Sequence, residues 1–306
     1  MANRRVLVKR RKAVRNIRKI TRTMQLIATA RFQAAFNRAV ATKPYTEKLA
    51  ELVADLSRAA GSVDHPLLRT PDVPRAALVV LTSNRGLAGG YNANVLRSAV
   101  THLDEHQGRG IATDVHMVGK KGINYFRFLR RAMVDQITTI TDKPRFEQVE
   151  PLANALMDQF IRGEIGAVYV AYMRFISAGV QRPTVVQLLP LSPGTEETPQ
   201  SRTTAASETS PSGRLRAGAP AVEYEFSPDP RQLLDELLPA TVRVRLFQAF
   251  NDAAVSEQVA RMVAMKAATD AAGDMIKALT REYNRARQTQ ITMELLDIVG
   301  GANALS

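Results

Sequence analysis

The residues best suited to chemistry are three glycine-containing turns and one pair of histidines. Gly86-Leu-Ala-Gly-Gly90 is glycine-rich but lacks the Lys-Ser/Thr pair with which a phosphate loop holds phosphate and magnesium. Gly119-Lys120-Lys121 does set a lysine after a glycine, yet Asp114 stands where such a loop needs glycine. Gly108-Arg-Gly110 has no third glycine at the dinucleotide spacing. The first two are read as strand-to-helix turns. His102 and His106 lie four apart on a predicted helix, a spacing that pinches zinc, but Leu103 replaces the Glu of a His-Glu-x-x-His site and no third ligand suggests itself. Both fall in a last helical turn, where the dipole favours a cation. There is no Gly-x-Ser-x-Gly, no cysteine, and no carboxylate pair beside a Gly-rich cleft. The expectation is therefore no catalytic residue, no cofactor and no metal.

The strongest chemical signal is charge. The formal net charge is +13. Residues 1–60 carry fifteen Lys or Arg, ten of them before Thr23, against Glu47, Glu51 and Asp55, a local net of +12. The rest of the chain is close to neutral. Such an excess seeks phosphate, anionic lipid or an acidic protein surface. No aromatic residue is interleaved before Phe32, and no recognition-helix fold surrounds the cluster, which argues against nucleic acid. An acidic protein partner explains the cluster best. A fraction of 45% hydrophobic residues excludes global disorder, and no apolar run reaches the roughly 18 residues that span a bilayer. The basic start is followed by no apolar core, so no secretory signal is expected.

These residues must be positioned by two kinds of element. From Arg4 to Thr42 there is neither proline nor glycine, and alanine is frequent, which favours helix. Ile17, Ile20, Met24 and Ile27 mark one helical face, with Ala30, Ala34 and Ala35 beside it to admit a close neighbour. Pro44 is expected to kink this helix without ending it, giving a first segment over 1–61. Residues 64–75 read as a linker. Between 76 and 191 strands (76–82, 113–118, 136–140, 167–173, 184–189) alternate with helices (94–105, 121–130, 146–162), which predicts a Rossmann-like α/β layer with a largely parallel sheet. Residues 192–221 form a low-complexity insertion of Ser, Thr, Pro, Gly and Ala, and residues 224–230 an extended approach to the last helix.

The final segment, 231–306, is helical. Val255, Val259, Met262, Met265, Ala268, Ala272, Met275, Leu279, Tyr283 and Ala286 advance 31 residues in nine steps, close to the 3.5 of a coiled-coil seam. Some 60 helical residues span about 90 Å, more than the small layer could bury. The fold expected is α/β with a long antiparallel coiled coil, made by the N- and C-terminal helices, and the α/β domain at its base. Beyond the seam, Arg285 to Glu294 is polar on nearly every face, and Leu295 to Leu305 turns apolar with no charge after Asp297. An apolar terminus of this kind is either a frayed end or one sheathed by another protein.

These segments carry a resemblance. Ala260-Arg-Met-Val-Ala-Met-Lys-Ala-Ala-Thr-Asp270, Tyr283-Asn-Arg-Ala-Arg-Gln288, Ile291-Thr-x-Glu294 and Ile298-Val-Gly-Gly-Ala302 are similar to the C-terminal signature of the gamma subunit of F-type ATP synthases. Ile17-Arg-Lys-Ile-Thr-Arg-Thr-Met24, Ser83-Asn-Arg-Gly-Leu-Ala-Gly-Gly-Tyr-Asn92, Gln187-Leu-Leu-Pro-Leu191 and Ser227-Pro-Asp-Pro230 resemble its remaining motifs, in order. The match begins by Asn3, so no transit peptide is expected. The resemblance implies a non-catalytic rotor shaft coupling ion-driven rotation of a membrane c-ring to ATP synthesis on a ring of alpha and beta subunits. It implies epsilon as a further partner and no nucleic acid. Localisation would be peripheral, on the cytoplasmic face of a bacterial plasma membrane. Arg287, Gln288, Thr292 and Glu294 would contact the beta ring, Met24 with Lys19 and Arg22 would face an acidic beta loop, and Gly300, Gly301, Ala302 and Leu305 would form the bearing tip.

Two other readings make different demands. A basic coiled-coil DNA binder would bind bulk DNA with steep salt dependence, and a Rossmann-like enzyme would bind nucleotide by itself. The insertion at 192–221 falls where chloroplast gamma subunits carry a redox-regulatory segment, but without cysteine it cannot be a dithiol switch. It is either a plain loop or a steric brake near the foot. Deleting residues 195–219 separates the two: a brake alters the ratio of synthesis to hydrolysis, whereas a plain loop leaves both rates unchanged.

Overall fold

The computed structural model describes residues 4–59, 65–191 and 230–305. The insertion and the approach segment at 224–229 lie outside them. Helix α1 spans Arg4–Ala59 and runs through Pro44 without ending, as expected. Pro44 lacks the amide that would bond the carbonyl one turn back. The Thr42 hydroxyl bonds the carbonyls of Arg38 and Ala39 and the Thr46 hydroxyl that of Thr42, and Thr42 is also 2.9 Å from Gln248 Oε1 on the last helix. That last helix, α5, spans Pro230–Leu305 with Pro239 inside it.

Between the two lie β1 (Arg75–Leu81), α2 (Tyr91–Gly108), β2 (Ala112–Val118), α3 (Lys120–Phe128), β3 (Asp135–Ile137), α4 (Phe146–Ile161), β4 (Ala167–Phe175) and β5 (Gln181–Leu189). The sheet order is β3-β2-β1-β4-β5, with the first four strands parallel and β5 antiparallel on the edge. β1 is central and buried on both sides, which is why Ala76–Leu81 reads as a continuous apolar run. Ala77, Val79 and Leu81 join the core under α4 and α5, while Leu78 and Val80 join the core under α2 and α3. β3 is shorter than its pattern suggested and stops at Ile137, after which Asn84 takes the carbonyls of Thr138 and Ile140.

Residues 65–75 are more than a linker. Pro66–Leu68 is a 3-10 turn capped by His65 Nδ1, which accepts from Leu67 N at 3.1 Å. Leu67 is wholly buried with Leu56, Leu189, Leu234 and Leu238, so this turn pins the base of the α/β layer to both long helices. A composition rich in Pro and Asp concealed one anchoring leucine. Leu67→Ala is expected to destabilise the chain by about 2–5 kcal/mol, read as a lowered urea midpoint with an unchanged slope.

Candidate partner-contact surfaces of the rod

Helices α1 and α5 run antiparallel, since Thr21 meets Thr269 and Thr42 meets Gln248. In α1 the buried row is Leu7, Val14, Thr21, Ala28 and Ala35, each seven residues from the last. This corrects the sequence reading. Ile17, Ile20 and Ile27 flank the seam and are 51%, 59% and 48% exposed, and the closely approached alanines are Ala28, Ala35 and Ala39, with Ala30 and Ala34 open. Two helices alone can cover only one narrow stripe on each, so the adjacent isoleucine row stays bare. On α5 the seam follows Val255, Val259, Met265, Thr269 and Ala272, but Met275 is 54% exposed and the neighbouring Ile276 turns inward in its place. Within the seam Thr269 and Thr21 share a hydrogen bond of 2.8 Å, and each also bonds a carbonyl of its own helix. A buried polar pair of this kind fixes register.

The amino end of α1 reaches Tyr283, whose ring lies 5.6 Å from the Arg4 guanidinium and 4.9 Å from that of Arg11. Among the described residues α5 continues alone beyond Ala286. Its last twenty residues extend about 30 Å as a single helix. Every residue from Glu294 to Gly300 is exposed, and Ile291, Met293, Leu295, Leu296, Ile298 and Val299 are between 49% and 72% open.

The structure brings the candidate residues to two zones. Lys19 and Arg22 are exposed, and Met24 is half-buried on the flank of the bare isoleucines, whereas Arg22 lies on the other side of the seam. Arg287, Gln288, Thr292 and Glu294 are exposed on the single helix. Thr292 donates to the Gln288 carbonyl, and Glu294 accepts from Gln290 Nε2 at 2.8 Å. Gly300 is exposed, and Gly301, Ala302 and Leu305 continue the helical backbone.

The glycine turns serve packing. A Cβ at Gly119 would overlap the Thr82 carbonyl, and one at Gly122 would overlap Met117 Sδ. The amides a phosphate would need are already used: Lys120 N donates to Asn84 Oδ1 and Lys121 N to the Ser83 carbonyl. The Gly86–Gly90 turn instead meets the rod. Arg261 reaches the Gly86 carbonyl at 3.5 Å and pairs with Glu257 one turn away, both nearly wholly buried. Burial pushes the Glu257 carboxyl above its usual range, and the Arg261 guanidinium opposes it. Sequence reasoning passed over this clamp, although a Glu and an Arg four apart in a small-residue stretch was the available signal.

His102 and His106 stack with ring centroids 4.1 Å apart and both meet Tyr169, and His106 Nδ1 lies 3.0 Å from Thr113 Oγ1. Among the described residues no group of three metal-ligating side chains forms. Burial lowers both below the ordinary imidazole value, reinforced by His106 at His102 and by Arg109 at both, with Glu105 opposing.

The whole chain can be compared with known proteins on this geometry. Residues 3–305 match the ATP synthase family profile. The chain is 44% identical over 306 residues to the ATP synthase gamma chain of Rhodopirellula baltica, covering 100% of this chain and 99% of that one. It is 40% identical over 307 residues to that of Leptospira biflexa, covering 100% of both. It belongs to the gamma-chain family of ATP synthases. A gamma chain is the rotor subunit of that complex and not itself its catalyst. The fold is that of a chain in the Euglena gracilis mitochondrial ATP synthase OSCP/F1/c-ring structure, with a TM-score of 0.64 at 17% identity over 99% of this chain and 94% of that one. A chain of the Tetrahymena thermophila central stalk/c-ring structure matches with a TM-score of 0.55 at 17% identity over 81% of this chain and 99% of that one.

The neutral histidines make a pH test. Unfolded imidazoles titrate near 6.5 and the folded ones lower, so acid favours the unfolded chain. Stability is expected to be full above pH 6.5 and to fall as pH drops from 6.5 toward the folded values. Urea midpoints measured between pH 7.5 and 5 should show this decline, and a His102→Gln/His106→Gln variant should reduce it, leaving the contributions of His65 and His116, both also lowered by burial.

Proposed function

We propose that this rotor works through three surfaces of the rod. The observation that carries the proposal is the end of α5 beyond Ala286, where six large apolar side chains are 49–72% exposed. A helix of that character is stable only inside a sleeve. In this reading the sleeve is the ring of alpha and beta subunits, with Gly300, Gly301, Ala302 and Leu305 as the turning tip. Arg287, Gln288, Thr292 and Glu294 touch the beta subunits just below it. Lys19, Arg22 and Met24 meet an acidic beta loop, where the basic side chains supply complementary charge.

The base of the rod takes up rotation from a membrane c-ring, with epsilon as its neighbour. The ring's ion flow then appears as ATP synthesis, or hydrolysis in reverse, on the partner subunits. No helix among the described residues is long and apolar enough to cross a membrane, which is consistent with a peripheral place on the cytoplasmic face of a bacterial plasma membrane. A curved, asymmetric rod presses each beta subunit in turn. The differential contact needed to change nucleotide affinity comes from the rod, and the nucleotide stays on the partner.

Co-expression with alpha and beta subunits tests this. The full chain should yield an ATPase complex, and removal of residues 285–306 should sharply lower its activity. Failure to assemble, or unaltered activity after truncation, overturns the reading. Arg287→Ala and Glu294→Ala should each reduce coupled ATP synthesis by about tenfold, equivalent to roughly 1.4 kcal/mol. The urea midpoint of the isolated chain should not move, because among the described residues neither has a partner beyond its own helix turn.

A further inference from the structure

The buried row of α1 is flanked on one side by the bare isoleucines. On the other side, three residues before each of its members, stand Arg4, Arg11, Arg18, Gln25 and Phe32. Lower down this shoulder is apolar, with Phe32 packed beside Ala35, Ala39 and Val255. Toward the amino end it is three arginines in succession. An arginine lends its aliphatic stem to such a seam, but its guanidinium must then meet water, an anion or the face of an aromatic ring. None of the three pairs with a carboxylate among the described residues. Arg4 and Arg11 instead share one ring: their guanidinium carbons lie over Tyr283, 5.6 and 4.9 Å from its centroid. Arg18 lies across Gly273, where a Cβ would stand 3.9 Å from its guanidinium carbon.

Register explains how one ring serves two arginines. Fourteen residues from the Thr21–Thr269 pair, in opposite directions along the antiparallel helices, are Leu7 and Tyr283. Arg4 and Arg11 each lie about one turn from Leu7, on either side of it, so both reach the ring opposite. The place matters as much as the contact. Tyr283 is half-buried under the end of α1, and Arg287 stands one turn further on the same face of α5. Ten Lys or Arg precede Thr23, and Arg11, Arg15 and Lys19 follow one another at spacings of four, where like charges repel. That repulsion favours release of the amino end. Once released, its cations would compete with Arg287 for the same acidic surface.

We propose that Tyr283 is a positioning residue of the rotor. Its ring holds Arg4 and Arg11, which keeps the basic end of α1 on its partner helix and leaves Arg287 and the single helix beyond it clear for the subunits around them. The ring face does this and not the hydroxyl, which has no hydrogen-bond partner among the described residues. The functional consequence rests on the rotor reading above, whereas the contact itself does not.

Two substitutions separate the ring from its bulk: Tyr283→Phe keeps an aromatic face, and Tyr283→Leu keeps apolar volume without one. In the isolated full chain, the backbone amides of residues 6–14 should exchange hydrogen about tenfold faster in Tyr283→Leu, the combined effect of two exposed cation–π contacts, and at the unaltered rate in Tyr283→Phe. Arg11→Met should speed exchange in the unaltered chain and add little to Tyr283→Leu, because the two changes break one contact. In the assembled ATP synthase, Tyr283→Leu should slow coupled ATP synthesis about threefold with an unchanged KM for ADP, and Tyr283→Phe should restore the rate. Equal exchange in the Leu and Phe variants, or additive effects of Arg11→Met and Tyr283→Leu, overturns the contact and the proposal with it. Faster exchange in Tyr283→Leu with an unaltered rate of synthesis overturns the positioning role and leaves the rotor reading standing. Failure of the unaltered chain to assemble with alpha and beta subunits overturns the rotor reading and the positioning role together, whatever the exchange shows.

Discussion

The close approach of α1 to α5 is the constraint on which the rest of the molecule depends. It is made through small residues, Ala28, Ala35 and Ala39 on one helix and Ala272 on the other, with Thr21 and Thr269 bonded across the middle. Large side chains at those positions would hold the axes apart. Alanine gives up apolar area per residue but lets the helices run close over many turns, where many weak contacts add up. The bonded threonines cost some apolar burial and in return select one register. That register decides how far one helix outruns the other. It therefore decides which residues are left for partners.

A shaft must also carry its α/β domain as one body. Three kinds of contact do so at different heights. At the base Leu67 fills the space between Leu56, Leu234 and Leu238. In the middle Phe32, Phe36 and Phe175 cluster with centroids 5.8–6.3 Å apart, joining α1 to the tip of the β4–β5 hairpin. Nearby, Ser256 donates to the Met173 carbonyl. Above them the Glu257–Arg261 pair holds the Gly86 turn. A buried ion pair is weak support for stability, because desolvation offsets much of its attraction. Its geometry is directional, however, and that suits a joint that resists sliding. Apolar contacts at the base supply affinity, and the polar joint supplies orientation.

The division of labour in the rod follows from exposure. Where both helices run together, the outward residues are mostly charged, and the bare isoleucine row sits among lysines and arginines. Where α5 runs alone, a polar turn precedes an apolar end. In an isolated coiled coil both features would be faults. In a rotor they are the parts that meet the ring, and the catalytic groups absent from the glycine turns and the histidine pair are not required of a shaft.

Much of this was written in the sequence. Local periodicity specified the alternating strands and helices of the layer, the two long terminal helices, and the persistence of α1 through Pro44, because each depends on residues a few positions apart. The terminal motifs carried the family, and the charge count located the basic end. Other features required the tertiary structure. Periodicity says that Ile17, Ile20 and Ile27 share a face, but not whether that face or the adjacent Val14–Thr21–Ala28 row meets the partner helix, since both repeat at nearly the same spacing. The choice of Ile276 over Met275 on α5 is the same ambiguity. The length of unaccompanied helix depends on register between residues some 250 positions apart, which no local pattern encodes. Leu67 could not be told from a linker residue, because its burial comes from four leucines on other elements. The lowered basicity of His102 and His106 likewise came from the tertiary structure, because their burial is made with residues such as Tyr169 that lie far away in the chain.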